Sequence, residues 1–313
     1  MTDKKLLVVF GATGNQGGSV AHTVLSDPEL SGRYQIRAVT RNTSNPKAQE
    51  LKTKGAELAA ADLDDASSLP AALKGANFVF ALTNTTYDGK TRETETRQAK
   101  ALVDEAIKQG VEYIIWSSMT HPFKVSGGKL KNAQHFDVKA EIEEYIRAQP
   151  IKAAFFAPGS FMQNYFTNQT PHPSPANDGT YVFANIMKPE SRWPLIDITD
   201  TGAWIAPILA EPDKYEGKFF AAAEGLYSVR EIAETMSKVS GKTVTHVYLE
   251  EDVYKGYLPE ASRDMLLDMY VLARDYGYYG ENMEKDVQWA RDQTRGKLTG
   301  LEEFFRKSGF KLD

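Results

Sequence analysis

Leu6-Leu7-Val8-Val9-Phe10-Gly11-Ala12-Thr13-Gly14-Asn15-Gln16-Gly17-Gly18-Ser19-Val20 reads as an apolar strand, a glycine-rich turn and the opening of a helix. Gly11, Gly14 and Gly17 stand at the spacing G-x-x-G-x-x-G. A tight turn needs a residue without Cβ, close approach of a pyrophosphate needs another, and packing of strand on helix needs a third. The helix start adds free backbone N–H groups and a dipole that favours an anion. A glycine pattern alone is compatible with a ligand-free turn. A strand before it and a helix after it are the context a dinucleotide loop requires. Gly11, Thr13, Gly14, Asn15, Gln16 and Gly17 are therefore the expected phosphate cradle.

The next strand selects the nucleotide. An acidic residue at its end suits the ribose hydroxyls of NAD, whereas an arginine suits the 2′-phosphate of NADP. Here Ile36-Arg37-Ala38-Val39-Thr40 is followed by Arg41 and Asn42, with no Asp or Glu. A guanidinium fork matches phosphate geometry, so Arg41 points to NADP(H), the alternative being a solvated surface arginine. Arg37, inside the strand, is a candidate support for the same pocket. The stretch Ser26–Gly32 lengthens the path from Gly17 to Arg41 and reads as a surface insertion.

Further along, short β-branched runs alternate with amphipathic stretches, which predicts a parallel sheet covered by helices. Strands are expected at Leu6–Phe10, Gln35–Thr40, Glu57–Ala60, Phe78–Leu82, Tyr113–Ser117 and Ala153–Ala157. Helices are expected at Asn15–Leu25, Pro46–Lys54, Ser67–Lys74, Thr91–Gln109 and Asn132–Ala148. The fold class is a Rossmann-type, doubly wound α/β domain over 1–158. A smaller mixed α/β domain over 159–313 walls off the cofactor cleft, with a boundary that can interleave. In that second part, strands are expected at Thr180–Phe183, Lys218–Ala221 and Thr243–Tyr248. Helices are expected at Thr201–Ala210, Ser228–Ser240, Ala261–Asp275 and Leu301–Ser308. Ser228 with Glu231 reads as a capping box. The prolines of Thr170–Pro175 predict a connection that is neither helix nor strand.

Composition sets outer bounds. The chain has 313 residues, 42% hydrophobic and 25% charged, the balance of a globular protein. A net charge of −5 gives no global attraction for nucleic acid. No apolar run reaches a membrane span, and the first residues lack a signal-peptide pattern. Cysteine is absent, which excludes disulfides, thiolate metal sites and a cysteine nucleophile. The expected compartment is the cytoplasm, with the nucleus as a second location under a regulatory reading.

The segments Val9–Val20, Ala38–Asn42 and His135-Phe136-Asp137-Val138-Lys139-Ala140-Glu141-Ile142-Glu143-Glu144-Tyr145 resemble the NmrA-like family of atypical short-chain dehydrogenases/reductases. The likeness is greatest to NmrA-like domain-containing proteins of the HSCARG type. It implies NADP(H) binding and, in well-known members, a redox-sensing regulatory role with protein partners such as a transcription factor or an enzyme. It also implies sites. Thr83 and Asn84 would lie near the nicotinamide ribose, Asp62 and Leu63 near the adenine, and Pro158, Gly159 and Phe161 beside the nicotinamide. Ser117 and Ser118 close the fifth strand, where an active-site serine is expected or a helix cap is formed.

Short-chain dehydrogenases carry Tyr-x-x-x-Lys on one helix face, the Tyr donating a proton and the Lys holding the ribose. This chain has His135 and Lys139 instead, one turn apart on one face. Lys139 retains the ribose-binding half of that task. For His135 a packing or hydrogen-bonding role competes with a catalytic one. Tyr165, Tyr270, Tyr276, Tyr278 and Tyr279 read as core residues ahead of cleft linings. Two functions follow, ahead of a third, a scaffold that retains the cofactor purely for stability. One is an NADP(H)-responsive regulator, with a homodimer as one open state. The other is an NADPH-dependent reductase, or a redox-neutral isomerase, of a small carbonyl or enone, using Lys139 or His135. Whether the chain catalyses anything is left open by its residues.

Overall fold

The computed structural model describes residues 4–312. The first half holds β1 (Lys5–Val9), α1 (Asn15–Ser26), α2 (Pro28–Arg33), β2 (Tyr34–Thr40), α3 (Pro46–Thr53), β3 (Glu57–Ala60), α4 (Leu69–Leu73), β4 (Phe78–Ala81), α5 (Thr91–Lys108), β5 (Tyr113–Ser117), α6 (Pro122–Val125), α7 (Gln134–Arg147) and β6 (Lys152–Pro158). The second half holds β7 (Ser160–Phe161), β8 (His172–Pro173), β9 (Tyr181–Asn185), β10 (Arg192–Ile196), α8 (Thr201–Ala210), β11 (Phe219–Ala222), β12 (Gly225–Ser228), α9 (Val229–Ser240), β13 (Val244–Tyr248), α10 (Glu251–Lys255), α11 (Arg263–Val271), α12 (Met283–Asp292) and α13 (Leu301–Lys307).

Seven strands form one parallel sheet in the order β3-β2-β1-β4-β5-β6-β11. Alternation in β1 shows why helices cover both faces. Leu7 and Val9 enter one core with Val20, Val24, Trp204 and Ile208 of α1 and α8. Val8 enters the other with Leu102, Val138 and Ile142 of α5 and α7. A strand stretch buried on both sides must be apolar throughout, as Leu7–Val9 is, and the one charged residue of β1, Lys5, stands at its exposed start. The order reverses between β1 and β4, and a doubly wound sheet binds ligands at the carboxyl ends beside such a switch point.

The later chain builds two three-stranded sheets, β12-β10-β7 and β13-β9-β8, over a core that includes Tyr165, Trp193, Met236 and Phe305. It also returns β11 and α8 to the main sheet. The Ser228–Glu231 capping box is present with both of its hydrogen bonds.

Several local expectations change. Ser26–Gly32 is no loose insertion: Asp27 caps α2, and Leu30 is fully buried. His172–Pro173 does pair, antiparallel to β9, because an edge strand tolerates a proline that has no N–H to give. The helix expected over Ala261–Asp275 divides into α11 and a wider π-type turn at Leu272–Tyr276. Tyr270, Tyr278 and Tyr279 are buried core residues as expected, with Tyr270 stacked on Trp193 at 5.3 Å, and Tyr276 packs partly buried against them.

Candidate functional site

The β1–α1 turn is shaped by three different glycine requirements. Gly11 lies at φ +62°, a conformation that L side chains rarely adopt. A Cβ on Gly17 would come within 2.4 Å of the Phe10 carbonyl oxygen, so only glycine lets α1 pack against the strand end. Gly14 caps α1 with backbone alone, its N–H donating to the Gly11 carbonyl at 2.9 Å. Because α1 has neither a side-chain cap nor an acidic residue in its first turn, its N-terminus presents backbone donors to an anion. Side chains that would fill or neutralise a phosphate cradle are missing where they would matter. The turn fits a dinucleotide.

Gln16, in that first turn, accepts a hydrogen bond from Ser117 Oγ at 2.8 Å. This ties the glycine turn to the end of β5. Ser118 instead donates to Glu143 on α7, a structural contact. Gly159 follows β6 where a Cβ would meet the Pro194 carbonyl oxygen at 2.8 Å. Phe161 packs, half-buried, on the core shared by Ala12 and Leu82.

Arg41 and Asn42 are exposed just beyond β2. Among the described residues Arg41 has no ion-pair partner, so its guanidinium is available to a ligand phosphate. Arg37 is committed elsewhere. It donates to Glu57 at 2.9 Å and to the Ala72 and Lys74 carbonyls at 2.9 and 2.7 Å, stitching β2 to its neighbours rather than entering the pocket. Asp62 and Leu63 follow β3, with Asp62 Oδ1 accepting from the Asp64 N–H at 3.0 Å. Leu63 is half-buried against the core.

Lys139 projects from α7 to the carboxyl end of β4. Its Nζ pairs with the Glu95 carboxylate and lies 3.5 Å from the Thr83 carbonyl oxygen and 3.4 Å from Thr85 Oγ1. Thr83 Oγ1 donates to the same carboxylate, and Thr85 Oγ1 does so at 2.8 Å. Glu95 is fully buried, while the Lys139 side chain keeps 14% exposure. Burial pulls the Lys139 ammonium below the usual lysine range, and the Glu95 charge opposes that fall. Asn84, one residue beyond Thr83, is exposed.

His135 lies one turn before Lys139 on α7 and is buried, with neither ring nitrogen hydrogen-bonded. Burial, assisted by the Lys139 charge, holds its imidazole down at about 3. Farther round the helix, Asp137 is buried against His121 Nδ1 at 2.7 Å and Arg92 at 3.4 Å, which fixes α7 to α5 and to the β5–α6 connection. Among the described residues there is no cluster of histidine and carboxylate groups able to hold a metal ion. Nor is any helix among them long and apolar enough to cross a membrane.

A sequence profile of the NmrA-like family matches residues 3–305. The chain belongs to the NmrA-like family. It is 28% identical over 319 residues to an NmrA-like family domain-containing protein of Dictyostelium discoideum, covering 99% of both chains. It is 28% identical over 321 residues to an NmrA-like family domain-containing oxidoreductase of Aspergillus hancockii, covering 95% of this chain and 92% of that one. Among solved structures, NmrA, a negative transcriptional regulator in complex with NADP, superposes with a TM-score of 0.76 at 21% identity. That superposition covers 97% of this chain and 95% of the other. NmrA-like proteins thus include chains named as regulators and chains named as oxidoreductases.

Glu95 and Thr85 are the site residues that motif reading passes over in this NmrA-like chain. A signal for Glu95 is present in α5, whose buried positions are Thr91, Glu95, Gln98, Ala99, Leu102, Val103 and Ala106. An acidic residue on an otherwise inward-facing stripe must be paired, and the partner is Lys139.

Proposed function

We propose that this chain binds NADP(H) and acts as an NADPH-dependent oxidoreductase on a small, uncharged carbonyl or enone. The observation that carries the reading is the Lys139–Glu95–Thr83–Thr85 cluster, in which a fully buried carboxylate holds a partly exposed ammonium at the carboxyl end of β4 beside the glycine turn.

In this reading Gly11, Thr13, Gly14, Asn15, Gln16 and Gly17 hold the pyrophosphate, and Arg41 pairs with the 2′-phosphate. Asp62 and Leu63 flank the adenine, and Thr83, Asn84 and Lys139 hold the nicotinamide ribose. NADPH, when bound, supplies a hydride. Lys139 Nζ holds the proton that the substrate oxygen takes up. Its pKa, lowered by burial, moves it toward useful acid strength at neutral pH, and Glu95 keeps it charged between turnovers. The test is NADPH consumption against a panel of ketones, enones and quinones, repeated with Lys139→Ala. Substrate-dependent oxidation that the variant loses supports the reading. Oxidation that Lys139→Ala retains in full contradicts it.

A second reading, an NADP(H)-responsive regulator with a protein partner or a homodimeric state, is favoured by one contact. Ser19 on α1 donates to the Thr199 carbonyl at 2.5 Å and accepts from the Gly202 N–H at 2.8 Å. The helix that opens on the phosphate cradle is thereby coupled to the start of α8, a route by which nucleotide state biases the second half of the chain. Such a regulator needs different affinities for the nucleotide in its two states, since equal binding shifts nothing. Identical proteolysis patterns with NADPH, with NADP+ and without nucleotide would remove this reading. A redox-neutral isomerase would consume no NADPH and is tested by product analysis. Cytoplasmic residence, with access to the nucleus under the regulatory reading, belongs to the same proposal.

A further inference from the structure

The sheet β13-β9-β8 has two edges, and the chain treats them differently. At β8 stands Pro173, which has no N–H to offer a further strand. β13 reads Val244-Thr245-His246-Val247-Tyr248, rich in β-branched side chains and free of proline, lysine and carboxylates. An open edge without such blunting is a template for another strand. Two hydrogen bonds to β9 fix its phase. Tyr181 N–H donates to the Thr243 carbonyl at 2.8 Å, and Leu249 N–H to the Asn185 carbonyl at 2.9 Å. Odd-numbered residues therefore face β9, and the backbone groups of Val244, His246 and Tyr248 point outward. Ser237 Oγ takes up those of Val244, at 2.9 and 3.3 Å. Among the described residues nothing takes up those of His246 and Tyr248. Apolar side chains are exposed beside them: Val247 at 36%, Tyr248 at 39%, and Val253 and Tyr257, on and just after α10, at 50% and 74%.

We propose that β13 pairs antiparallel with β13 of a second copy of this chain, about a two-fold axis at Val247. Charge selects that occupant and that direction. Lys242 precedes the strand, Glu250 and Asp252 follow it, and none of the three has an ion-pair partner among the described residues. A two-fold axis sets the basic start of each strand beside the acidic end of the other, whereas parallel pairing would set like against like. The register uses only free groups. His246 of each copy exchanges N–H and C=O with Tyr248 of the other, and Ser237 keeps Val244. Val247 meets Val247 across the axis as a close, non-hydrogen-bonded pair. This gives the homodimeric state of the regulatory reading an interface, and rests on that reading only for a response to nucleotide.

The chain has no cysteine, so a single Val247→Cys or Thr245→Cys reports which residues meet. Facing Cα atoms of a non-hydrogen-bonded antiparallel pair lie about 4.5 Å apart, within disulfide range. Thr245 faces Leu249 of the other copy, which holds two Thr245 positions roughly 14 Å apart. Under diamide, Val247→Cys is expected to form a covalent dimer far faster than Thr245→Cys. Sedimentation of the parent chain from about 1 μM to about 1 mM should show a monomer–dimer equilibrium. Val247→Lys, which sets like charges opposite each other, should raise its dissociation constant at least about tenfold. A chain that stays monomeric over that range, equal cross-linking at the two positions, or a dimer indifferent to Val247→Lys overturns the proposal, whether or not the edge accepts a strand from another protein. The parent equilibrium and the cross-linking pair stand even where Val247→Lys folds poorly. Repeating the sedimentation with NADPH and with NADP+ separates the readings. A dimer indifferent to nucleotide keeps the interface and takes it from the regulatory reading, while nucleotide-dependent proteolysis of a chain that stays monomeric does the reverse.

Discussion

Lys139 and Glu95 are joined in a pair whose carboxylate has no solvent exposure, with the hydroxyls of Thr83 and Thr85 donating to the same two oxygens. The lysine comes from α7 and the glutamate from α5, so the pair clamps the two helices at the carboxyl end of the sheet. Removing one member of a buried pair leaves the other uncompensated, which costs about 3–5 kcal/mol, whereas removing both costs far less.

Glu95→Gln should therefore lose about 3–5 kcal/mol in urea unfolding at pH 7, and Glu95→Gln/Lys139→Met should recover much of that loss. The pH dependence has a definite sign. Burial already lowers the Lys139 pKa from 10.5, and losing Glu95 lowers it further. Between the folded and unfolded values only the unfolded chain holds the proton, so stability rises with pH across that window. The variant's deficit should shrink when unfolding is repeated at pH 10. A deficit independent of pH would show that the charge of Lys139 is not its source.

Gly17→Ala and Gly14→Ala should separate sharply. The added methyl at position 17 meets the Phe10 and Gly11 carbonyl oxygens at 2.4 and 2.5 Å, and backbone cannot move away cheaply. At position 14 the nearest atom is the Gly11 carbonyl oxygen at 3.2 Å, which a small shift relieves. Gly17→Ala is expected to lower thermal stability and abolish nucleotide binding, and Gly14→Ala to remain folded with weakened binding. Equal behaviour of the two would contradict the geometry of the turn.

His135 should make the chain acid-sensitive. Its folded pKa is about 3 against an ordinary 6.5, so between those values the unfolded chain carries a proton that the folded chain refuses. Stability falls as pH drops through that window, by up to about 1.4 kcal/mol per unit. His135→Gln removes the titration and should flatten the slope of unfolding free energy between pH 6.5 and 4, moving the acid midpoint lower. A slope identical to that of the parent would mean that His135 is protonated in the folded state.

The parallel sheet and the glycine turn were legible because their signals are local: apolar runs, turn residues and a strand–turn–helix order within fifteen residues of Leu6. The short helix α2 carries its own signature in Asp27-Pro28-Glu29, a cap, a first-turn proline and an acidic residue, and was concealed by expecting an insertion. Pro194 hides β10, since a proline inside an apolar run argues against a paired strand. The return of β11 to the edge of the main sheet is fixed by its contact with β6, more than sixty residues earlier, and no local pattern records it. The site divides the same way. Lys139 is singled out by the likeness of its helix to the family's Tyr-x-x-x-Lys segment, whereas Glu95 requires knowing that α5 turns that face toward α7.

Both proposed functions require the glycine turn and Arg41 together to bind the phosphorylated nucleotide, and calorimetric titration reads that binding without any substrate. NADPH and NADH should be titrated into the parent chain and into Arg41→Ala. Saturable NADPH binding is expected, weakening at least about tenfold in the variant as a charged hydrogen-bond partner is lost, with NADH affinity nearly unchanged. No heat from NADPH or NADP+ up to millimolar concentration, or equal NADPH affinity in both proteins, would contradict it.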